Sequence, residues 1–253
     1  MSLNNFEGLG WLLLGFLPFL WVQRWLHREI QAVFLLITRR PTLSIGLFSL
    51  LFFPGVLIHE TSHFMTAHLL GVPTGRFSLL PQALPDGKLQ LGYVEAARTD
   101  VVRDALIGLA PLLAGTLAIY LIEFNGLHLI SLQQYLNQRE WAIFWQALVR
   151  LPVQPDFWLW FYLAFTISST MLPSASDRQA WLPLLMFLAL LVGLAFLAGA
   201  GTWLLNNLAP ILNRILMALA TAVGISLCLH LALIPPVGFL RVALSRLLKL
   251  EVV

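Results

Sequence analysis

Long apolar segments, separated by short polar stretches, dominate the chain. Because about 20 apolar residues are needed to cross a bilayer, the pattern predicts six transmembrane helices, near residues 8–23, 42–71, 104–122, 157–176, 180–205 and 211–235. Backbone in contact with lipid must satisfy its own hydrogen bonds, so each of these segments is expected to be helical. The predicted fold class is an all-α polytopic membrane protein, with a single membrane domain over residues 1–253.

The pattern changes between residues 72 and 98, directly after the second predicted helix. One apolar run covers residues 77–80, and a second run alternates apolar with polar positions and contains Leu89, Leu91 and Tyr93. Asp86-Gly87 between the two runs is a strong turn signal for a hairpin. We therefore expect a small β-hairpin here, and the alternative interpretation is a polar loop.

Three further segments combine charge with apolar residues. Residues 24–40 contain four Arg around an apolar centre and predict a helix along the membrane interface, with a solvated connector as the alternative. Residues 123–155 are typical of a loop with a short surface helix. The basic residues of 241–249 are spaced among Leu and Val and predict a second interfacial helix.

The composition supports membrane insertion. Hydrophobic residues make up 59% of the 253 residues and charged residues 11%, whereas about a quarter of the residues in soluble domains are charged. A net charge of +3 is too small to indicate a nucleic-acid partner. Cys228 is the only cysteine and can form no internal disulfide. Residues 8–22 lack a charged n-region and a cleavage site, so we expect a retained first span rather than a signal peptide.

The second apolar segment contains the motif with the clearest chemistry, HETSH at residues 59–63. It directly follows the uncharged residues 43–58, at a depth where ionisable groups are costly and usually functional. His59 and His63 lie four residues apart on one helix face, where both can bind one Zn²⁺, and Glu60 can act as general base on a water. The alternative is a chance match, because the motif specifies only three residues.

A catalytic zinc takes three protein ligands, so a third is expected. Asp177 is the leading candidate, because the segment 157–176 should run parallel to the helix carrying HETSH and end on the side of the hairpin. In the alternative interpretation Asp177 caps a helix and pairs with Arg178. Three weaker candidates for the third ligand, the last of which could also cap the third predicted span, are His68, Glu95 and Asp104.

The HExxH motif in an apolar helix, the hairpin after it and an Asp at the end of a later span resemble the site-2-protease class of intramembrane zinc proteases. The resemblance covers residues 42–178, which it implies form a three-span catalytic core. Residues 1–41 would add a span and an interfacial helix, and residues 179–253 two spans and a basic tail. The family ligand lies in a Leu-Asp-Gly motif, whereas this chain has Ser176-Asp177-Arg178. Pro173 matches the family's Asn-x-x-Pro stretch, but hydroxyl residues replace the Asn.

The sequence therefore predicts a zinc-dependent intramembrane endopeptidase that cleaves membrane-anchored proteins, with Zn²⁺ on His59, His63 and Asp177. We expect the hairpin to bind an unwound substrate strand through Phe77, Leu89, Leu91 and Tyr93. The alternative is a protease-like structural or accessory subunit of a larger membrane complex, with or without a structural zinc. Substrate or partner subunits, the lipid bilayer and a multi-pass location in the cell (inner) membrane complete the expectation.

Two features of other predicted spans concern packing. The small residues between Gly108 and Gly115 should allow the third span to approach a neighbouring helix closely. His230, in the last span, is expected to be a hydrogen-bonded packing residue rather than a ligand.

Overall fold

The structure is a computed structural model, which describes residues 6–83 and 89–250. Most of these residues are helical. The helices are α1 (Glu7–Thr38), α2 (Pro41–Leu69), α3 (Val101–Ile122), α4 (Leu129–Asn137), α5 (Trp141–Arg150), α6 (Phe157–Thr170), α7 (Trp181–Leu197), α8 (Gly201–Trp203) and α9 (Ala209–Leu248). The strands are β1 (Thr74–Ser78), β2 (Gln82–Ala83), β3 (Leu89–Gln90) and β4 (Tyr93–Ala96). Single π-helical turns extend α3 and precede α9.

The all-α prediction is confirmed, but the number of spans is not six. Within the described residues, four helical segments are long and apolar enough to cross a membrane: Glu7–Thr38, Pro41–Leu69, Val101–Leu127 and Gly201–Leu248. Helix α6 has 14 residues and α7 has 17. At about 1.5 Å per residue, α6 covers roughly 21 Å of a hydrocarbon core of about 30 Å.

Helix α1 is a single long element. The sequence predicted a span at 8–23 followed by a separate interfacial helix at 24–40, but one helix continues from Glu7 to Thr38. The reason is packing, because Leu26 and Ile30 are buried and keep the apolar face continuous. Residues 241–249 likewise are not a separate helix, since α9 continues to Leu248.

Helices α1 and α9 run parallel to each other. The backbone N–H of Gly8 donates to Oδ1 of Asn213 (2.8 Å) near the start of both helices. Near their ends, Nε of Arg241 lies 2.8 Å from a carboxylate oxygen of Glu29. Helix α2 turns back against α1, and Oγ of Ser44 donates to the carbonyl of Gln31 (3.3 Å).

Helix α6 runs parallel to α2, as the topology predicted. The hydroxyl of Tyr162 donates to the carbonyl of Leu51 (3.0 Å), and Nδ1 of His59 lies 2.6 Å from the carbonyl oxygen of Thr170. Between these two contacts, Gly55 meets the backbone of Thr166. The contacts advance four residues at a time on both helices, so α6 ends beside the metal-binding motif.

These directions place the start of α9 and the end of α6 on the same side of the molecule. The chain from α7 to α9 therefore makes no net crossing, which corrects the prediction of two C-terminal spans at 180–205 and 211–235. Between α3 and α6, the predicted loop with one short helix forms two helices, α4 and α5.

The predicted hairpin after α2 is confirmed. Strand β1 pairs antiparallel with β4, with Phe77 opposite Val94 and Ser78 opposite Tyr93. Strand β2 pairs antiparallel with β3 in the same way. The predicted turn at Asp86-Gly87 lies outside the described residues. The paired strands begin at residue 74 and end at residue 96, so the hairpin is longer than the apolar pattern suggested.

Candidate metal centre

Three potential ligand atoms converge at the end of α2. His59 and His63 project from one face of this helix, and Asp177 lies in the turn after α6. Nε2 of His63 is 3.2 Å from Nε2 of His59 and 3.4 Å from Oδ1 of Asp177. Nε2 of His59 is 3.9 Å from Oδ2 of Asp177. Within the described residues these three side chains form the only group that could hold a metal ion.

Backbone carbonyls fix the orientation of both imidazoles. Nδ1 of His59 lies 2.6 Å from the carbonyl oxygen of Thr170, and Nδ1 of His63 lies 2.8 Å from that of Ile107. A carbonyl oxygen can only accept, so each Nδ1 carries the proton and each neutral Nε2 presents a lone pair. Two lone pairs and a carboxylate oxygen then face one another, an arrangement that a bound cation stabilises.

The donor set and its spacing fit zinc. Zinc binds imidazole nitrogen and carboxylate oxygen at about 2.0–2.2 Å in tetrahedral geometry, which places neighbouring ligand atoms roughly 3.4 Å apart. Two of the three distances, 3.2 and 3.4 Å, match this spacing and the third, 3.9 Å, is slightly wider. Three protein ligands leave a fourth position open, as in catalytic zinc sites.

The turn after α6 holds Asp177 in place. The backbone N–H of Ser174 donates to Oδ2 of Asp177 (2.6 Å). Burial by itself would raise the pKa of Asp177, but neighbouring His63 and the hydrogen bonds from Ser174 outweigh it and lower the pKa to about 2. Nε of Arg178 donates to the carbonyl of Ser174 (3.1 Å), where the alternative interpretation expected a pair with Asp177.

Glu60 shares a cavity with the three ligand residues. The cavity has a volume of about 750 Å³ and is open to the exterior. Glu60 is buried at one wall, directly below the hairpin. A Cβ added to Gly92 would lie 2.8 Å from Cγ of Glu60 and 3.0 Å from the carbonyl oxygen of Ser78. A glycine at position 92 therefore lets the hairpin backbone cover Glu60 closely.

The hairpin contributes only part of the predicted substrate-binding set to this cavity. Leu91 and Tyr93 line it. Phe77 instead packs against Phe64, with ring centroids 5.9 Å apart. The side chain of Leu89 lies outside the described part of the structure. Strand β4 pairs only with β1 among the described strands, so one of its edges has no strand partner.

The weaker candidates for a third ligand have other contacts. His68 stacks on Phe64, and the carboxylate of Glu95 accepts the backbone N–H of Arg76 (3.2 Å). Asp104 lines the cavity, but its Oδ1 accepts the N–H of Thr99 (3.3 Å).

A different residue caps α3. Oδ1 of Asp100 accepts the N–H groups of Val102 (3.1 Å) and Arg103 (3.0 Å), which is the usual arrangement at a helix N-terminus. The prediction that Asp104 could cap this helix is therefore wrong.

Sequence reasoning missed the backbone groups of the site. The carbonyls of Ile107 and Thr170 and the N–H of Ser174 are invisible in a search for side-chain ligands. Gly108 is a partial exception, because the small-residue run 108–115 predicted close packing. A Cβ at position 108 would overlap the carbonyl oxygen of Asp177, and one at Gly115 would meet the side chain of Met171.

Comparisons with protein-family models, curated proteins and solved structures gave no match for this chain. The chemistry of the site therefore has to be argued from its own geometry.

Proposed function

We propose that the protein is a zinc-dependent intramembrane endopeptidase of the site-2-protease type, which cleaves membrane-anchored proteins. The observation that carries the proposal is the convergence of His59, His63 and Asp177 beside Glu60 in one open cavity. A helix otherwise suited to cross a membrane supplies three of these four residues. Such groups are costly in an apolar segment and indicate function.

In the proposed mechanism His59, His63 and Asp177 would hold the zinc, which when bound polarises the scissile carbonyl and acidifies a water. The Glu60 carboxylate accepts a proton from the attacking water as the oxygen bonds to the scissile carbon. Glu60 then returns this proton to the amine nitrogen as the carbon–nitrogen bond breaks. The carbonyls of Thr170 and Ile107 keep both Nδ1–H groups engaged, so each Nε2 stays directed at the centre of the site.

The short helix α6 supports water entry at membrane depth. It ends at Thr170, and the turn that follows contributes Ser174 and Ser176 to the cavity wall together with Asp177. These polar groups, with Glu60, can hydrate the cavity next to otherwise apolar helices. Irregular backbone at membrane depth is tolerated where it lines such a cavity.

The hairpin supports binding of an extended substrate. A helical substrate has its amides hydrogen-bonded internally and must unwind before its carbonyl can be attacked. The free edge of β4 could pair with the unwound stretch by strand addition, which uses main-chain groups. Leu91 and Tyr93 would then contact substrate side chains in the cavity. We further propose that the protein lies in the cell (inner) membrane as a multi-pass protein.

The test is hydrolysis of a detergent-solubilised panel of single-span substrate proteins by zinc-loaded protein, beside Glu60→Gln. The substitution removes the proton acceptor and leaves the three ligands. We expect cleavage by the wild type, a loss of at least about a hundredfold in Glu60→Gln, and equal zinc content in both. Equal cleavage by both proteins would contradict the role of Glu60. Zinc binding without cleavage of any substrate would favour a structural subunit.

A further inference from the structure

The end of α6 leaves two backbone carbonyls without donors from their own helix. In a continuing helix, the carbonyl of Ser169 would accept from residue 173 and that of Thr170 from residue 174. Pro173 has no N–H group. The N–H of Ser174 is committed to Oδ2 of Asp177 (2.6 Å). Both carbonyls are therefore available to side chains from other helices.

Two different helices supply those side chains. Nε2 of Gln23, on α1, donates to the carbonyl of Ser169 (2.6 Å). Nδ1 of His59, on α2, donates to the carbonyl of Thr170 (2.6 Å). Gln23 and Ser169 are both buried, so the bond between them is shielded from solvent. The carbonyl that orients a metal-ligand imidazole is thus adjacent in the chain to a carbonyl held by α1.

Helix α9 holds the same residue from the other side. His230 is fully buried, and its ring packs edge-on against Phe19, with centroids 5.1 Å apart. Its Nδ1 lies 2.7 Å from the carbonyl oxygen of Ser226, so Nδ1 is the donor and Nε2 the acceptor. The hydroxyl of Ser169 therefore donates to Nε2 of His230 (2.9 Å). This direction follows from the requirement that a carbonyl only accepts.

We propose that Gln23 and His230 are positioning residues for the metal centre. They hold both the carbonyl and the hydroxyl of Ser169, which fixes the following carbonyl of Thr170 against Nδ1 of His59. The inference rests on the proposed metal site. It gives α1 and α9, which lie outside the protease-like core of residues 42–178, a specific role in that site.

The alternative is that both residues only fill space between helices. The two explanations differ in their consequences, because an outer partner of a ligating histidine changes metal affinity about 10- to 100-fold, whereas a packing residue changes stability alone. Gln23 and His230 act here through one intermediate residue, so we expect effects near the lower end of that range.

The experiment is titration of the metal-free full chain in detergent with Co²⁺, following the d–d absorption that reports tetrahedral coordination. The variants are Gln23→Leu, His230→Phe and Ser169→Ala. Gln31→Leu is the matched control, since Gln31 is an exposed residue of α1. We expect about tenfold weaker Co²⁺ binding and an altered band in the three variants, with the control like the wild type.

A double substitution separates positioning from packing. If His230 acts through the hydroxyl of Ser169, Ser169→Ala combined with His230→Phe should weaken Co²⁺ binding no more than His230→Phe alone. Ser169→Ala is small enough to serve if His230→Phe does not fold. Wild-type affinity and an unchanged band in folded Gln23→Leu and Ser169→Ala would overturn the inference alone. Absence of Co²⁺ binding by the wild type would overturn the proposed metal site and this inference with it.

Discussion

Gly108 and Asp177 are in direct backbone contact: a Cβ at position 108 would overlap the carbonyl oxygen of Asp177. The contact joins α3 to the turn that carries the third candidate ligand. Gly108 also follows Ile107, whose carbonyl orients His63. One small residue therefore sets the distance between two parts of the metal centre.

Gly108→Ala should displace Asp177 and weaken zinc binding. Backbone cannot yield as the end of a flexible side chain can, so we expect zinc affinity to fall roughly tenfold or more, measured by competition with a chromogenic chelator. The matched control is Gly193→Ala in α7, where an added Cβ meets nothing within 4 Å. Equal zinc affinity of the two variants would show that the Gly108 contact does not position Asp177.

Gly55→Ala should loosen the packing of α6 on α2. An added Cβ would overlap the carbonyl of Thr166 and the hydroxyl of Thr170, one helical turn before His59. Overpacking of this kind costs about 1–3 kcal/mol, so the thermal midpoint in detergent should fall. Gly46→Ala in the same helix meets nothing, and the higher helix propensity of Ala should leave its midpoint unchanged or raise it. Midpoints that move together would refute the packing argument.

Gly92→Ala should impair catalysis while zinc stays bound. The added methyl would press on Glu60 and on the carbonyl of Ser78 rather than on a ligand. We expect kcat to fall roughly tenfold or more, on the argument that small displacements of a catalytic group are costly. Gly75→Ala is the control, because its Cβ would meet only the exposed side chain of Glu95. Loss of zinc from Gly92→Ala would instead place position 92 in the metal site.

Removal of the metal should lower the thermal stability of the protein. A metal that binds only the folded state stabilises it by about 2.7 kcal/mol at a free concentration one hundred times Kd. EDTA should therefore lower the thermal midpoint, and zinc added in excess of EDTA should restore it. His63→Ala should melt at one temperature with or without EDTA. A wild-type midpoint that EDTA leaves unchanged would contradict a folded-state metal site.

The sequence was sufficient for the ligands because their signals are side chains in an unfavourable place. His59, Glu60 and His63 stand out in an apolar helix, and Asp177 follows from the alternation of helices across the membrane. The hairpin could be predicted because its strands alternate and a turn pair separates them. Each of these inferences needs only local pattern or simple topology.

Other features depend on tertiary packing and could not be predicted in this way. The continuation of α1 beyond residue 23 is stabilised by burial of Leu26 and Ile30, which the four Arg nearby obscured. The parallel arrangement of α1 and α9 depends on the Glu29–Arg241 pair, two residues far apart in sequence. The carbonyl of Thr170 carries no side-chain signal at all, although Pro173 after it marks where α6 must end.

The zinc content of the purified protein tests the central claim most directly. Wild type, Glu60→Gln, His59→Ala and Asp177→Ala would be prepared in the same way and analysed by plasma mass spectrometry. The account predicts about one zinc per chain in the wild type and in Glu60→Gln, and little in the two ligand variants. Zinc retained by Asp177→Ala would move the third ligand elsewhere, and a wild type that neither contains nor takes up zinc would contradict the account.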